Sequence, residues 1–189
     1  MSKQQVRKLR VIGGEWRRRL IEFPDVDAIR PTPDRVRETL FSWLQSDVHG
    51  ANCVEPFAGS GILSIEALSR GAKHCVILDQ AKAAIHAIKS NLETLSVSDN
   101  QYQCVQADAR AWLSRVADKT SFDIVFLDPP FADSDLVSLI TSSAKLLKQD
   151  GKIYVETSVA LDGSVLPQEL KLKKQKRAGA VHYALLELQ

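Results

Sequence analysis

The sequence predicts an α/β fold: a mostly parallel seven-stranded sheet ending in an antiparallel hairpin. Two patterns carry this expectation. From residue 53 to residue 155 short apolar runs alternate with helical periodicities, the order that builds a parallel sheet covered on both faces. From residue 170 onward two extended runs follow each other through Ala178-Gly179-Ala180 with no helix between them, as an antiparallel pair requires.

The elements follow in order. Cys53-Val54 into Phe57 reads as the first sheet strand, and Ile62 to Arg70 as a helix with Ile62, Ile65 and Leu68 on one face. Cys75 to Leu78 is the second strand. Residues 81–95 give a helix whose stripe is Ala81, Ile85, Ile88, Leu92 and Leu95. Tyr102 to Ala107 and the short helix Ala109 to Val116 come next. Phe122 to Leu127 is almost wholly apolar, as a central strand buried on both faces would be. Leu136, Ile140, Ala144 and Leu147 mark a further helix, and Lys152 to Val155 the fifth strand. Runs 170–177 and 181–188 complete the seven.

Residues 1–31 read as a basic N-terminal arm or hairpin, and residues 32–189 as the main domain. In the arm, Arg10-Val11-Ile12 and Leu20-Ile21-Glu22-Phe23 flank Gly13-Gly14. Thr32 is expected to cap the next helix with Pro33 at its first position, and Val36, Leu40 and Leu44 to form its stripe.

Composition excludes several classes. The 189 residues fit one domain with at most a small appendage. No stretch reaches the ~18 apolar residues that span a bilayer, and Met1 to Arg10 has no apolar signal region. Cys53, Cys75 and Cys104 are odd in number and widely spaced, unlike a disulfide framework or a zinc site. They are expected to be buried, reduced thiols in a cytoplasmic protein that holds no metal. Charge is uneven. Residues 1–37 carry ten Lys/Arg against five Asp/Glu, residues 38–170 ten against seventeen, and residues 171–189 five against one. The basic ends are either solvated tails or polyanion-binding surfaces on an acidic body.

Phe57-Ala58-Gly59-Ser60-Gly61 lies between the first strand and the helix after it, where glycine lets the backbone turn and a ligand approach. Asp79 ends the next strand twenty residues after Gly59, with Gln80 beside it. Rossmann-type folds place an acidic residue there to bind ribose hydroxyls; Asp79 is otherwise a helix cap. Ser64 stands where a third glycine would complete the dinucleotide pattern. S-adenosylmethionine has no pyrophosphate and needs no such cradle. Glu55 is then a candidate for its cationic methionine part, or a polar strand end. Asp108-Ala109 is placed to meet its adenine, or to cap a helix.

The most informative segment is Asp128-Pro129-Pro130-Phe131, delivered by an apolar strand to the carboxyl edge of the sheet, where such folds bind ligands. The prolines fix the backbone. Asp128 and the Pro129 carbonyl can accept hydrogen bonds from an –NH₂ group and hold its lone pair for an in-line displacement, and Phe131 can stack on a base. The plain alternative is a proline-rich turn after a strand.

The chain resembles the bacterial 16S ribosomal RNA guanine-N2 methyltransferases of the RsmD family. The resemblance rests on Arg10-Val11-Ile12-Gly13-Gly14-Glu15-Trp16-Arg17, on Arg30-Pro31-Thr32 with Arg35-Val36-Arg37-Glu38-Thr39-Leu40-Phe41, and on the glycine turn. It also rests on Glu66-Ala67-Leu68-Ser69-Arg70-Gly71 and Asp128-Pro129-Pro130-Phe131. It implies a Rossmann-like, S-adenosylmethionine-dependent methyltransferase acting on a guanine N2 amine of 16S ribosomal RNA, free or in a small-subunit assembly intermediate. A monomer is expected, with no membrane partner. Glu55 departs from the family's usual Asp, and Arg18 lies near a usual glycine. Arg10, Arg17, Arg18, Arg19, Arg30, Arg35 and Arg37 are the candidate RNA contacts, with Lys171, Lys173, Lys174, Lys176 and Arg177 as a second cluster. The alternatives are an amino-methyltransferase for adenine N6 or protein glutamine, and a non-catalytic RNA-binding module.

Overall fold

The structure, a computed structural model, describes residues 6–25, 31–116, 122–130 and 135–189. An N-terminal hairpin of β1 (Val6–Arg10) and β2 (Leu20–Pro24) precedes α1 (Asp34–Trp43). The main sheet follows as β3 (Asn52–Glu55), α2 (Ile62–Ser69), β4 (His74–Asp79), α3 (Lys82–Thr94), β5 (Tyr102–Gln106), α4 (Ala109–Val116), β6 (Phe122–Leu127), α5 (Leu136–Ala144) and β7 (Leu147–Thr157). It closes with β8 (Leu170–Ala178) and β9 (Val181–Leu188). Its seven strands lie in the order β5-β4-β3-β6-β7-β9-β8. Strands β3 to β7 run parallel, and β9 is antiparallel to both β7 and β8. The expected architecture is observed.

The parallel strands β3, β4, β6 and β7 bury side chains on both faces, while the edge strand β5 is only half-buried. Cys53, Ile77, Ile124, Phe126 and Tyr154 join one core with α1, α2 and α3, while Val54, Leu78, Val125, Leu127 and Val155 join the other with α4 and α5. Connection order reverses between β3 and β6, so their carboxyl ends splay into the crevice where such sheets bind ligands.

Helix α2 is buried along its whole length because the N-terminal hairpin covers the side that faces away from the sheet. The hairpin is held by backbone groups. Ile12 N–H donates to Glu66 Oε1 at 2.7 Å, Trp16 N–H to Ser69 Oγ at 2.9 Å, and Asn91 exchanges two hydrogen bonds with the Glu22 backbone. Gly14 has φ +75°, and a Cβ there would lie 1.9 Å from the Ser69 carbonyl oxygen, so this approach requires glycine.

Several expectations are corrected. Strand β1 ends at Arg10, because the Ile12 amide bonds to Glu66 instead of continuing a ladder. Thr32 does not cap α1. Pro33 occupies the cap, and the Thr32 hydroxyl donates to the buried Glu156 carboxylate at 2.7 Å, a stronger acceptor than a local backbone group. Leu147 belongs to β7, paired with Phe122, and a left-handed Asp150 leads back to the ladder at Lys152. Ala81 is exposed at the mouth of α3. Cys104 is half-buried; all three cysteines are free.

Candidate active site

The glycine turn after β3 is fixed by its neighbours. Ala58 N–H donates to Leu78 O at 2.8 Å and Gly61 N–H to Ala58 O at 2.7 Å. Gly61 has φ +71°, and a Cβ would sit 2.8 Å from Ile88 Cγ1. Asp79 holds this turn from the next strand end: its Oδ2 accepts from Gly59 N–H at 2.8 Å and its Oδ1 from Ala81 N–H at 2.7 Å. One carboxylate thus joins the glycine turn to the start of α3, and its two oxygens retain further lone pairs. Phe57 is half-buried and Ala58 buried beneath the turn, while Gln80 is exposed beyond it.

Glu55 is 2% exposed. Its Oε2 accepts the Ser64 N–H at 2.9 Å, one of the orphan amides of the first turn of α2. Burial, reinforced by the charge of Asp79, outweighs the Ser64 hydrogen bonds and pushes the carboxyl up to about 8. At the next strand end, exposed Asp108 accepts the Ala111 N–H at 2.8 Å and so caps α4, with Ala109 buried behind it.

Asp128 differs from these three. Among the described residues it makes no hydrogen bond and no ion pair, although it is only partly exposed. Burial, then the charges of Glu156 and Glu55, holds its carboxyl well above the usual range. Pro129 is buried and Pro130 exposed. Phe131 and Arg30 lie outside the described residues. Asp79, Glu55, the glycine turn, Asp108 and Asp128 therefore share the carboxyl edge of the sheet. A groove of about 420 Å³ lined by Ile12, Glu38, Phe41, Val48, His49 and Arg70 contains none of them. Among the described residues no group of His, Cys, Asp and Glu has a metal-binding arrangement, and no helix is long and apolar enough to cross a membrane.

One candidate RNA contact is corrected. Arg37 is completely buried, and its guanidinium donates to the carbonyls of Thr32 and Arg10 and to the carboxylates of Glu66 and Asp34. A guanidinium so enclosed, with four of its five N–H groups already donating, cannot be reached by a phosphate. Arg10, Arg17, Arg18, Arg19 and Arg35 are exposed. Sequence reasoning missed Glu156, the buried carboxylate one residue before the end of β7, beside Asp128; its signal is an acidic residue terminating the apolar run Ile153-Tyr154-Val155.

Residues 9–187 match the family described as conserved hypothetical protein 95. The Haemophilus influenzae protein named ribosomal RNA small subunit methyltransferase D is 38% identical over 183 residues, covering 95% of this chain and 94% of that one. Its Escherichia coli K12 namesake is 37% identical over 186 residues, covering 95% and 90%. The chain belongs to the RsmD family. The solved Escherichia coli structure called yhhF superposes with a TM-score of 0.82 at 37% identity, over 96% of this chain and 98% of that one. A more distant structure, SMU.776 complexed with SAH, shares the fold at 16% identity with a TM-score of 0.75, over 89% of this chain and 53% of that one. The RsmD-family chain thus has the Rossmann-like fold of S-adenosylmethionine-dependent methyltransferases, with the Asp-Pro-Pro turn at its open edge.

Proposed function

We propose that this protein transfers a methyl group from S-adenosylmethionine to the exocyclic N2 amine of a guanine in 16S ribosomal RNA. The observation that carries the reading is Asp128: a partly buried carboxylate, without a hydrogen-bond partner among the described residues, at the end of a central strand. A fold has no use for such a group, so perturbed, unpartnered carboxylates in a cleft point to chemistry. The names of its relatives support a ribosomal RNA substrate, and the SAH complex of a neighbour with the same fold supports the cofactor.

The residues present fit that cofactor. Asp79 keeps acceptor capacity for a diol after binding the Gly59 and Ala81 amides. Glu55 and Asp128 line the crevice with carboxyl oxygens that can accept from a cationic ligand, and a bound cation would favour their ionised form. When bound, S-adenosylmethionine supplies an electrophilic methyl group on a sulfonium sulfur. Asp128 accepts an N–H of the amine and the Pro129 carbonyl a second, which holds the nitrogen lone pair in line. The raised affinity of Asp128 for protons makes its carboxylate a ready acceptor for the proton that leaves the nitrogen. The exposed arginines of the N-terminal hairpin hold the RNA backbone, using planar forks that match phosphate.

The test is nucleoside mass spectrometry on small-subunit RNA from a strain lacking its own family member, before and after incubation with the protein. N2-methylguanosine should appear, and Asp128→Ala should cut turnover by at least ~100-fold while changing cofactor affinity far less. Appearance of N6-methyladenosine, or no methylation, rejects the reading.

A further inference from the structure

Glu156 is the penultimate residue of β7, beside the Asp128 strand end. Leu127 pairs with Val155 and Phe126 with Tyr154 in the parallel β6–β7 ladder. Residues 128 and 156 therefore continue that register, and the two-residue period puts both on the face that carries Phe126 and Tyr154. Glu156 is 3% exposed. Its Oε1 accepts the Thr32 hydroxyl at 2.7 Å and the Tyr154 hydroxyl at 2.9 Å. No cation pairs with it among the described residues, and its Oε2 accepts no hydrogen bond from them. Yet Oε2 is not sealed away: the fully enclosed side-chain polar atoms without a partner, among the described residues, are Ser64 Oγ and Ser143 Oγ. One oxygen of this carboxylate orients it, and the other is left over.

Burying a carboxylate without a cation is costly, and two neutral hydroxyls offset only part of the cost. A Gln or Met would fill this strand end with less penalty. The neighbour makes the placement costlier, because Glu156 and Asp128 are like charges on adjacent strand ends. Burial holds both carboxyls above the usual range; the charges of Glu156 and Glu55 add to this at Asp128, and the Thr32 and Tyr154 hydrogen bonds offset part of it at Glu156. What repays two adjacent acceptors is a ligand with two adjacent donors.

We propose that Glu156 is a specificity residue that accepts the ring N1–H of the target guanine while Asp128 holds the neighbouring N2 amine. This rests on the guanine-N2 reading above. Guanine presents N1–H and N2–H side by side on its Watson–Crick edge, the edge read once a base leaves its stack. Adenine presents the N1 lone pair next to its N6 amine, so a second carboxylate there meets a lone pair and repels it. A protein glutamine has no ring donor beside its amide. The pair thus selects guanine among substrates that share the same amine chemistry. Thr32, which orients Glu156, lies just before Pro33, the cap of α1, so the segment joining the hairpin to the sheet also sets this contact.

The experiment uses the full-length protein and small-subunit RNA ligated to carry either guanine or 2-aminopurine at the methylated position. 2-Aminopurine keeps the 2-amine but has a lone pair at N1. Wild type should favour guanine in kcat/KM by at least about 100-fold, because a polar site rejects an analogue lacking its donor. In Glu156→Gln the side-chain carbonyl can keep the Thr32 and Tyr154 bonds, and an NH₂ replaces the free oxygen. That variant should lose on guanine, gain or hold on 2-aminopurine, and shrink the preference at least about tenfold. Thr32→Val removes one orienting bond but leaves the carboxylate, and should retain the preference within about threefold even if both rates fall. An unchanged preference in Glu156→Gln overturns the proposal, as does an equal collapse in Thr32→Val, which would assign the effect to loosened structure. A wild type inert toward guanine N2 overturns the underlying reading as well, and is distinguished by the first measurement alone.

Discussion

Replacing Glu55 by Gln should stabilise the protein at alkaline pH and not at acid pH. Glu55 is buried against the first turn of α2, and its carboxyl is raised from 4.5 to about 8, first by burial and further by Asp79. The sign follows from which state holds the proton. Below 4.5 the carboxyl is protonated in both folded and unfolded chains, and its full contribution is present. Between 4.5 and about 8 the unfolded chain releases the proton and the folded chain keeps it, so stability falls as pH rises. The slope is about 1.4 kcal/mol per pH unit, and the loss is complete above the folded value. Going from about pH 5.5 to about pH 9 crosses roughly 2.5 units of that window, which gives about 3 kcal/mol. Gln cannot ionise, and its carbonyl can still accept the Ser64 amide. The gap between the Gln variant and wild type should therefore widen by about 3 kcal/mol in the variant's favour over that range. Asp128 and Glu156 shift in the same direction, but both proteins contain them, so the difference isolates Glu55 to first order. Urea unfolding at fixed ionic strength measures it, with the m-value as a check that the transition is unchanged. Parallel stability curves for the two proteins would refute the placement of an isolated, buried carboxyl at the end of β3.

Three further outcomes are expected. Asp79→Ala should weaken S-adenosylmethionine binding by about 1–3 kcal/mol, through loss of a charged acceptor and of the Gly59 and Ala81 anchors; calorimetry on a folded variant with unchanged affinity would refute it. Replacing Arg17, Arg18 and Arg19 together by Ala should weaken RNA binding and make its salt dependence shallower, by about 0.7 in log–log slope for each single-strand phosphate no longer neutralised, with cofactor affinity unchanged. Arg37→Met should destabilise the fold by about 3–5 kcal/mol, because it strands part of the buried Glu66 charge and two backbone carbonyls; a loss under ~1 kcal/mol in denaturant titration would show that the network relaxes.

The main sheet was legible because parallel strands buried on both faces must be apolar throughout, and Phe122–Leu127 shows that most clearly. Asp79 and Asp128 were legible because a polar residue closing such a run marks the carboxyl edge. Arg37 was misread as a surface charge, although the periodicity held a warning: positions 37, 41 and 44 share a helical stripe, and Phe41 and Leu44 are buried. Its partner Glu66 lies in a helix that looks one-sided in sequence and is enclosed only because the hairpin docks on it. No local pattern announces a covering element 50 residues away. Thr32 failed for the same reason, since cap chemistry is local and its acceptor stands 124 residues further on. Arg18 is the reverse case: its φ of +72° is backbone that glycine adopts without strain, and an arginine in that conformation must be repaid by something other than backbone comfort.

The charge map sharpens once paired groups are set aside. In the body, Glu66 is neutralised by Arg37 and Arg70, Asp123 by Lys148, and Glu187 by Lys152 and Lys173. These pairs remove acid from the surface, and they also remove Arg37 and Lys173 from the two basic ends. What remains is not equivalent at those ends. Strand β8 is an edge strand, and lysines along an edge have a sufficient structural reason, because they discourage another chain from pairing with it. Lys174 also lies 5.9 Å over the Trp43 ring, a contact worth having without any ligand. Arg17 and Arg18 have no such reason: they stand exposed on a loop whose backbone is already fixed by Val11, Gly14 and Ser69. Arg19 spends one donor on the Thr94 carbonyl and keeps the rest. The hairpin loop therefore carries cations that the fold does not consume, which makes its arginines, ahead of the β8 lysines, the first surface to test against RNA.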